Sequence, residues 1–180
     1  VDLNRAGIPL LEIVSEPEIK NGEEAYSYLS EIRKLVRYLE ISDGNMEEGS
    51  LRADLNISVR KKGTTKFGTK VEVKNMNSFR NVQKAIDFEI IRQIDLIEGG
   101  TPIFQETRTF DAVKNCTIGL RTKEDAHDYR YFPEPDLVPV IVPSSYVAEV
   151  RETMPPMPYE LFKKYTGELG LSEYDAFVLT

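Results

Sequence analysis

An α+β fold, with a mainly antiparallel sheet, helices on one face and then the start of a helical domain, is predicted by three observations. Residues Leu51 to Val59 alternate strictly between apolar and polar side chains. Two long segments, opening at Asn21 and Ser78, repeat apolar residues at helical spacing. Pro155, Pro156 and Pro158 punctuate a helical tail. Period two marks a strand with one wet face, a period near 3.6 marks a helix with one buried stripe, and proline ends regular structure.

Ile8 to Val14 is an apolar run broken by Glu12 and closed by Glu16-Pro17, which predicts a buried strand carrying one carboxylate. Asn21 suits a helix N-cap with Glu24 at the third helical position, and Leu29, Ile32, Val36 and Leu39 form the stripe of a helix running to about residue 40. Leu51 to Val59 and Val71 to Val73, joined through Lys61-Lys62-Gly63, predict an antiparallel pair with Asp54 and Glu72 on the polar face. Ser78 caps the longest helix, striped by Phe79, Val82, Ile86, Ile90, Ile94 and Ile97 and stopped at Gly99-Gly100. Strand-like runs follow at Ile103 to Asp111 and Thr117 to Lys123, then the loop Tyr129 to Asp136 and the apolar run Leu137 to Val142, so strands are expected to outnumber helices. The pattern turns helical from Ser144. The boundary is placed at residue 154, giving a first domain of 1–154 and a truncated helical domain of 155–180.

Both ends read as cut. Val1 opens without an initiator methionine, and Ser172 to Asp175 reads as a capping box opening a helix two turns before Thr180. No run approaches the roughly 18 apolar residues of a membrane span, and the start lacks a secretory pattern, so a cytoplasmic protein with no membrane is expected. Cys116 alone cannot close an intrachain disulfide; it reads as a small buried hydrophobe, and His127 as a surface residue. With 23 basic and 30 acidic residues, net charge −7, the chain does not have the balance of a domain whose main task is gripping phosphates along a nucleic acid.

Three carboxylates stand inside strand-like segments: Glu12, Asp54 and Glu72. Two or three such groups, with waters and substrate phosphates completing the shell, suit a magnesium ion. Arg52, Arg108, Arg121 and Arg130 lie in or beside these strands, and guanidinium forks suit phosphoryl oxygens. A sheet with a merely solvated polar face would produce the same alternation. On spacing alone the solvated face is the favoured reading, and Glu12 weighs most toward a site, because a lone charge in a buried apolar strand is costly unless paired or bound. No P-loop or GxGxxG glycine pattern is present.

Val1-Asp2-Leu3-Asn4-Arg5, Pro9-Leu10-Leu11-Glu12-Ile13-Val14-Ser15-Glu16-Pro17 and Met46-Glu47-Glu48-Gly49-Ser50-Leu51-Arg52-Ala53-Asp54 form the start of an ordered series of motifs. It continues through Phe67-Gly68-Thr69-Lys70, Lys74-Asn75, Asn77-Ser78-Phe79, Gln105-Glu106-Thr107-Arg108 and Asp128-Tyr129-Arg130-Tyr131-Phe132-Pro133-Glu134-Pro135-Asp136. The series resembles the B-subunit (GatB) family of aspartyl/glutamyl-tRNA(Asn/Gln) amidotransferases. The resemblance implies a cradle domain similar to glutamine synthetase and guanidino kinases. It implies ATP and magnesium as cofactors, and Glu12, Asp54 and Glu72 around the metal; the arginines are added from charge chemistry. It implies phosphorylation of the side-chain carboxylate of Glu-tRNA(Gln) or Asp-tRNA(Asn), then amidation by ammonia from a partner. The partners implied are the amidase (A) subunit and the small (C) subunit of a heterotrimer, with glutamine as amido donor, and the fragment alone is expected to be inactive. A non-catalytic tRNA-binding or assembly module of the same complex is the alternative, and a small-molecule kinase or ligase of the same fold a more remote one.

Overall fold

The computed structural model describes residues 7–122 and 138–180, with the backbone alone at 121 and 122. Two compact units, Val1–His127 and Asp128–Thr180, divide the chain.

In the first unit, α1 (Gly22–Tyr38) begins at Asn21, whose side chain accepts from the Glu24 N–H at 2.8 Å, while the Glu24 carboxylate reaches back to the Lys20 N–H at 2.7 Å. The first bond satisfies an N–H that a helix start leaves orphaned, and the second ties the residue before the cap to the first turn. After β1 (Leu55–Ile57) and β2 (Val71–Lys74) comes α2 (Phe79–Glu98), capped by Ser78 accepting from Asn81 N–H. Next come β3 (Glu106–Asp111) and β4 (Cys116–Thr122). The strands form one sheet in the order β1-β2-β3-β4.

The expected antiparallel pairing of β1 with β2 is present, in the register Leu55 to Val73 and Ile57 to Val71. β3 and β4 are also antiparallel, with a bulge opposite Thr107 and Arg108. The central pairing amends the prediction: β2 and β3 run parallel, Glu72 beside Thr107 and Lys74 beside Thr109, so the sheet is mixed. The cause is α2. A parallel neighbour needs a crossover long enough to carry the chain back along the sheet, and a 20-residue helix supplies one.

Val71, Val73 and Phe110 on one sheet face pack with Val82, Ala85 and Ile86 of α2 and Ala25 of α1 to make the core. α1 lies against α2, with Tyr26 and Phe79 meeting edge to face at 6.0 Å. Gly22 permits that approach, because a Cβ there would stand 2.6 Å from the Gln83 carbonyl oxygen.

Other expectations are corrected. Ile8 to Val14 is neither strand nor buried: Leu10 is 84% and Leu11 74% exposed. Apolar composition gives a preference for burial, but burial also needs a facing surface. Residues 138–142 are likewise exposed and without regular structure, and five helices outnumber four strands among the described residues. Cys116 is half-buried rather than buried.

The second unit contains α3 (Ser144–Thr153), α4 (Pro158–Gly167) and α5 (Glu173–Leu179). Pro158 opens α4 at a position where its missing N–H costs nothing. Ser172 caps α5 as expected, accepting from Asp175 N–H at 3.1 Å, and α4 packs on α5. No helix among the described residues is long and apolar enough to cross a membrane.

Candidate functional site

Alternation in β2 sends Val71 and Val73 toward α2 and puts Glu72 and Lys74 on the opposite face. The register of β1 against β2 brings Asp54, one residue before the strand, to the same end of that face. Lys74 Nζ lies 3.2 Å from Glu72 Oε1 and 3.3 Å from Asp54 Oδ2. Across the parallel pairing, Thr107 Oγ1 donates to Glu72 Oε2 at 2.9 Å, so the two oxygens of this carboxylate are held by different strands. The Glu72 side chain is 17% exposed, that of Asp54 53%.

The hydrogen bond to Glu72 raises the Lys74 pKa above 10.5; burial opposes it, and Asp54 adds to it. The ammonium is therefore fully charged at neutral pH. Asn75, in the left-handed region at φ 65°, ends β2 and reaches Thr109 Oγ1 with its amide at 3.2 Å, fixing the strand end that carries Lys74.

Two of the three predicted carboxylates thus converge on one cation. Glu12 lies on the exposed Ile8 to Val14 segment, and the inference drawn from its burial falls with that burial. Among the described residues no group of three His, Cys, Asp or Glu side chains could hold a metal ion. The pair still fits magnesium, which binds through one or two carboxylates and keeps several waters, and whose place here would be the point on which Asp54 and Glu72 already converge.

The predicted arginines separate. Arg52 Nε turns back toward the Gly49 carbonyl at 3.4 Å. Arg108 is the register partner of Val73 and points to α2, away from Glu72, bonded to Glu106 at 2.7 Å and paired with Glu89 at 3.1 Å. Its guanidinium is already committed, which corrects its expected role on phosphate. The Arg121 backbone pairs with Thr107, while Arg130 and the Tyr129 to Asp136 loop lie outside the described residues, as does His127.

The network holding Arg108 was not anticipated. Glu89 is completely buried between α2 and the sheet, and accepts from Arg92, Thr117 and Gln93. Burial pushes its carboxyl upward, but the bonds from Arg92, Thr117 and Gln93 outweigh it and hold the group below its ordinary value. The spacing Glu89 to Arg92 signals a helical pair, while the link to β3 has no local signal.

An open cavity of about 700 Å³ lies between α1, the Asp43 to Glu48 loop and the start of α2, lined in part by Arg33, Arg37, Arg80, Tyr26 and Phe79. Asp43 on its rim is held below the ordinary carboxylate value, first by the Asn45 N–H, then by Ser50, with Arg33 and Arg37 contributing.

A family model described as the GatB/GatE catalytic domain matches residues 1–148. The chain is 58% identical over its whole length to the B subunit of the aspartyl/glutamyl-tRNA(Asn/Gln) amidotransferase of Alkalilimnicola ehrlichii, covering 38% of that protein. It is 59% identical to the protein of the same name from Gloeothece citriformis, covering 36%, and 54% identical to that of a Thermoanaerobacter species, covering 38%. The chain therefore spans little more than a third of these relatives.

Proposed function

The chain belongs to the GatB/GatE catalytic-domain family, and from that membership we propose that it forms part of an ATP-dependent ligase acting on misacylated tRNA. The substrate is Glu-tRNA(Gln) or Asp-tRNA(Asn). A side-chain carboxylate oxygen attacks the terminal phosphorus of ATP, ADP leaves, and an acyl phosphate forms. Ammonia released from glutamine by a partner amidase attacks the acyl carbon, phosphate leaves with the bonding pair, and the nitrogen loses a proton to give the amide. Activation comes first because a carboxylate is a poor acyl donor until its oxygen becomes part of a leaving group.

The observation that carries this reading is the convergence of Asp54 and Glu72 on one cation position. Asp54 and Glu72 would hold a magnesium ion there, with Glu12 supplied from its exposed segment; when bound, the ion would offset charge on the transferring phosphoryl group. Thr107 holds Oε2 of Glu72 and leaves Oε1 at the position that Asp54 shares through Lys74. Arg52, Arg121 and Arg130 remain proposed phosphate contacts; Arg108 does not. An amidase (A) subunit, a small (C) subunit and a cytoplasmic setting belong to the same proposal; the relatives' names, which make each of them the B subunit of an amidotransferase, support the existence of further subunits.

In the complete complex, Asp54→Ala and Glu72→Ala should each abolish ATP-dependent amidation of misacylated tRNA while the partner's glutaminase fold stays intact. Unchanged amidation by both variants would reject the assignment.

A non-catalytic RNA-binding or assembly module is the second reading, favoured by the cavity lined by Arg33, Arg37 and Arg80 beside Tyr26 and Phe79. Arginine and aromatic side chains together suit phosphates and stacked bases. Salt-sensitive tRNA binding with no magnesium-dependent ATP binding would select it.

A further inference from the structure

We propose that Lys74 is a positioning residue: its ammonium holds the Asp54 and Glu72 carboxylates at one point and surrenders that point to a divalent ion. This rests on the reading of Asp54 and Glu72 as metal-binding groups.

Two carboxylates brought together without a cation repel each other, and the repulsion turns the side chains apart. Lys74 removes that repulsion. It sits two residues from Glu72 on the same strand face, and its Nζ lies 3.2 Å and 3.3 Å from one oxygen of each carboxylate. A separate bond from Thr107 holds the other oxygen of Glu72, so that carboxylate keeps its direction when the ammonium leaves.

The ammonium is also free to leave. The Lys74 side chain is 38% exposed, and a four-carbon stem can swing into water with little packing to break. A compact monovalent cation on a flexible tether is a suitable stand-in for a divalent ion, because it orders the ligands yet competes only weakly. Lys74 therefore exerts two opposed effects on metal binding, preorganisation in favour and occupancy against. Partly exposed ion pairs are weak, but an occupied position must be vacated before an ion enters it. Occupancy and charge together make the net effect of Lys74 on affinity unfavourable.

Mn²⁺ titration of the full-length protein in its complex, followed by the paramagnetic signal of the free ion and without ATP or tRNA, tests this. Lys74→Met should tighten Mn²⁺ binding about fivefold, the combined strength of two partly exposed ion pairs. Lys74→Gln should do the same. Lys74→Arg, which retains a charge between the carboxylates, should leave the affinity as it is. So should Lys70→Met, which removes an equal charge four residues earlier, outside the bridge. Unchanged or weakened affinity in both Lys74→Met and Lys74→Gln would overturn the proposal, as would equal tightening in Lys70→Met, which would reduce the effect to net charge. The double variant Asp54→Asn with Glu72→Gln separates the two levels. If it weakens Mn²⁺ binding while Lys74→Met has no effect, only the role of Lys74 fails; if it binds Mn²⁺ as well as the parent, the metal reading fails and this proposal with it.

Discussion

Arg92 grips the buried carboxylate of Glu89 with two 2.9 Å hydrogen bonds, Nε to Oε1 and Nη2 to Oε2. Arg108 of β3 approaches the same carboxylate at 3.1 Å, so one acidic side chain ties α2 to the sheet from its interior. Removing a shared partner from a buried ion pair leaves uncompensated charge, at about 3 kcal/mol or more. Glu89→Ala should therefore loosen β3 and α2 together. Hydrogen exchange of their amides in the full-length protein should accelerate strongly, while that of α5 stays at parental rates. Parental protection in β3 would show that the network adds nothing to the sheet.

The same carboxylate sets an acid limit. Its folded-state pKa lies below the ordinary 4.5, so the folded form binds the proton more weakly than the unfolded form. The stabilisation is complete above pH about 4.5 and is lost as pH falls through the lower folded-state value. Exchange protection of β3 should decline with acidification in that window, after correction for the intrinsic pH dependence of exchange. Glu89→Gln, lacking the titrating group, should flatten the decline.

Gly22 sets the separation of two helices. A methyl group there would meet the Gln83 carbonyl oxygen at 2.6 Å and Asp87 Oδ1 at 2.7 Å; the side chain can swing aside, but the backbone carbonyl cannot. Gly22→Ala should push α1 away from α2 and destabilise their packing by about 1–3 kcal/mol, the usual range for overpacking. Faster exchange in the first turns of α1, with β3 and β4 unaffected, is the expected signature.

The parts of this fold that follow local rules were readable in the sequence. Asn21 and Ser78 cap their helices, Ser172 caps α5, and alternation correctly put Asp54 and Glu72 on the face opposite Val71 and Val73. The rest depends on what lies opposite. Ile8 to Val14 has the composition of a buried strand but makes no strand pairing, since pairing is a property of two segments and the run is only one. Arg108 is expected on phosphate because it lies in a strand-like run and a guanidinium fork suits phosphoryl oxygens, yet a one-residue step along a strand reverses the face, and its register with Val73 turns it to α2. The parallel step from β2 to β3 was foreshadowed by the length of α2, about 30 Å, enough to return the chain along the sheet. The role of Lys74 carries no local signal in the sequence. Its bridge to Asp54 spans 20 residues and exists only once β1 and β2 are in register.

Thr107 offers the most selective test of how the carboxylate face is held. Its hydroxyl donates to Glu72 Oε2 at 2.9 Å, and the residue is 2% exposed. Valine has the same shape without the donor, so Thr107→Val removes the bond while keeping the packing, at a stability cost of about 1 kcal/mol. Loss of a hydrogen bond to a metal-binding carboxylate weakens affinity by about tenfold or more. Thr107→Val should therefore reduce Mn²⁺ affinity of the full-length protein by that order while leaving exchange in α1 and α2 at parental rates. Thr107→Ser keeps the hydroxyl and should restore most of the affinity. Equal affinity in the valine and serine variants would mean that the Glu72 carboxylate needs no help from β3 to hold its position.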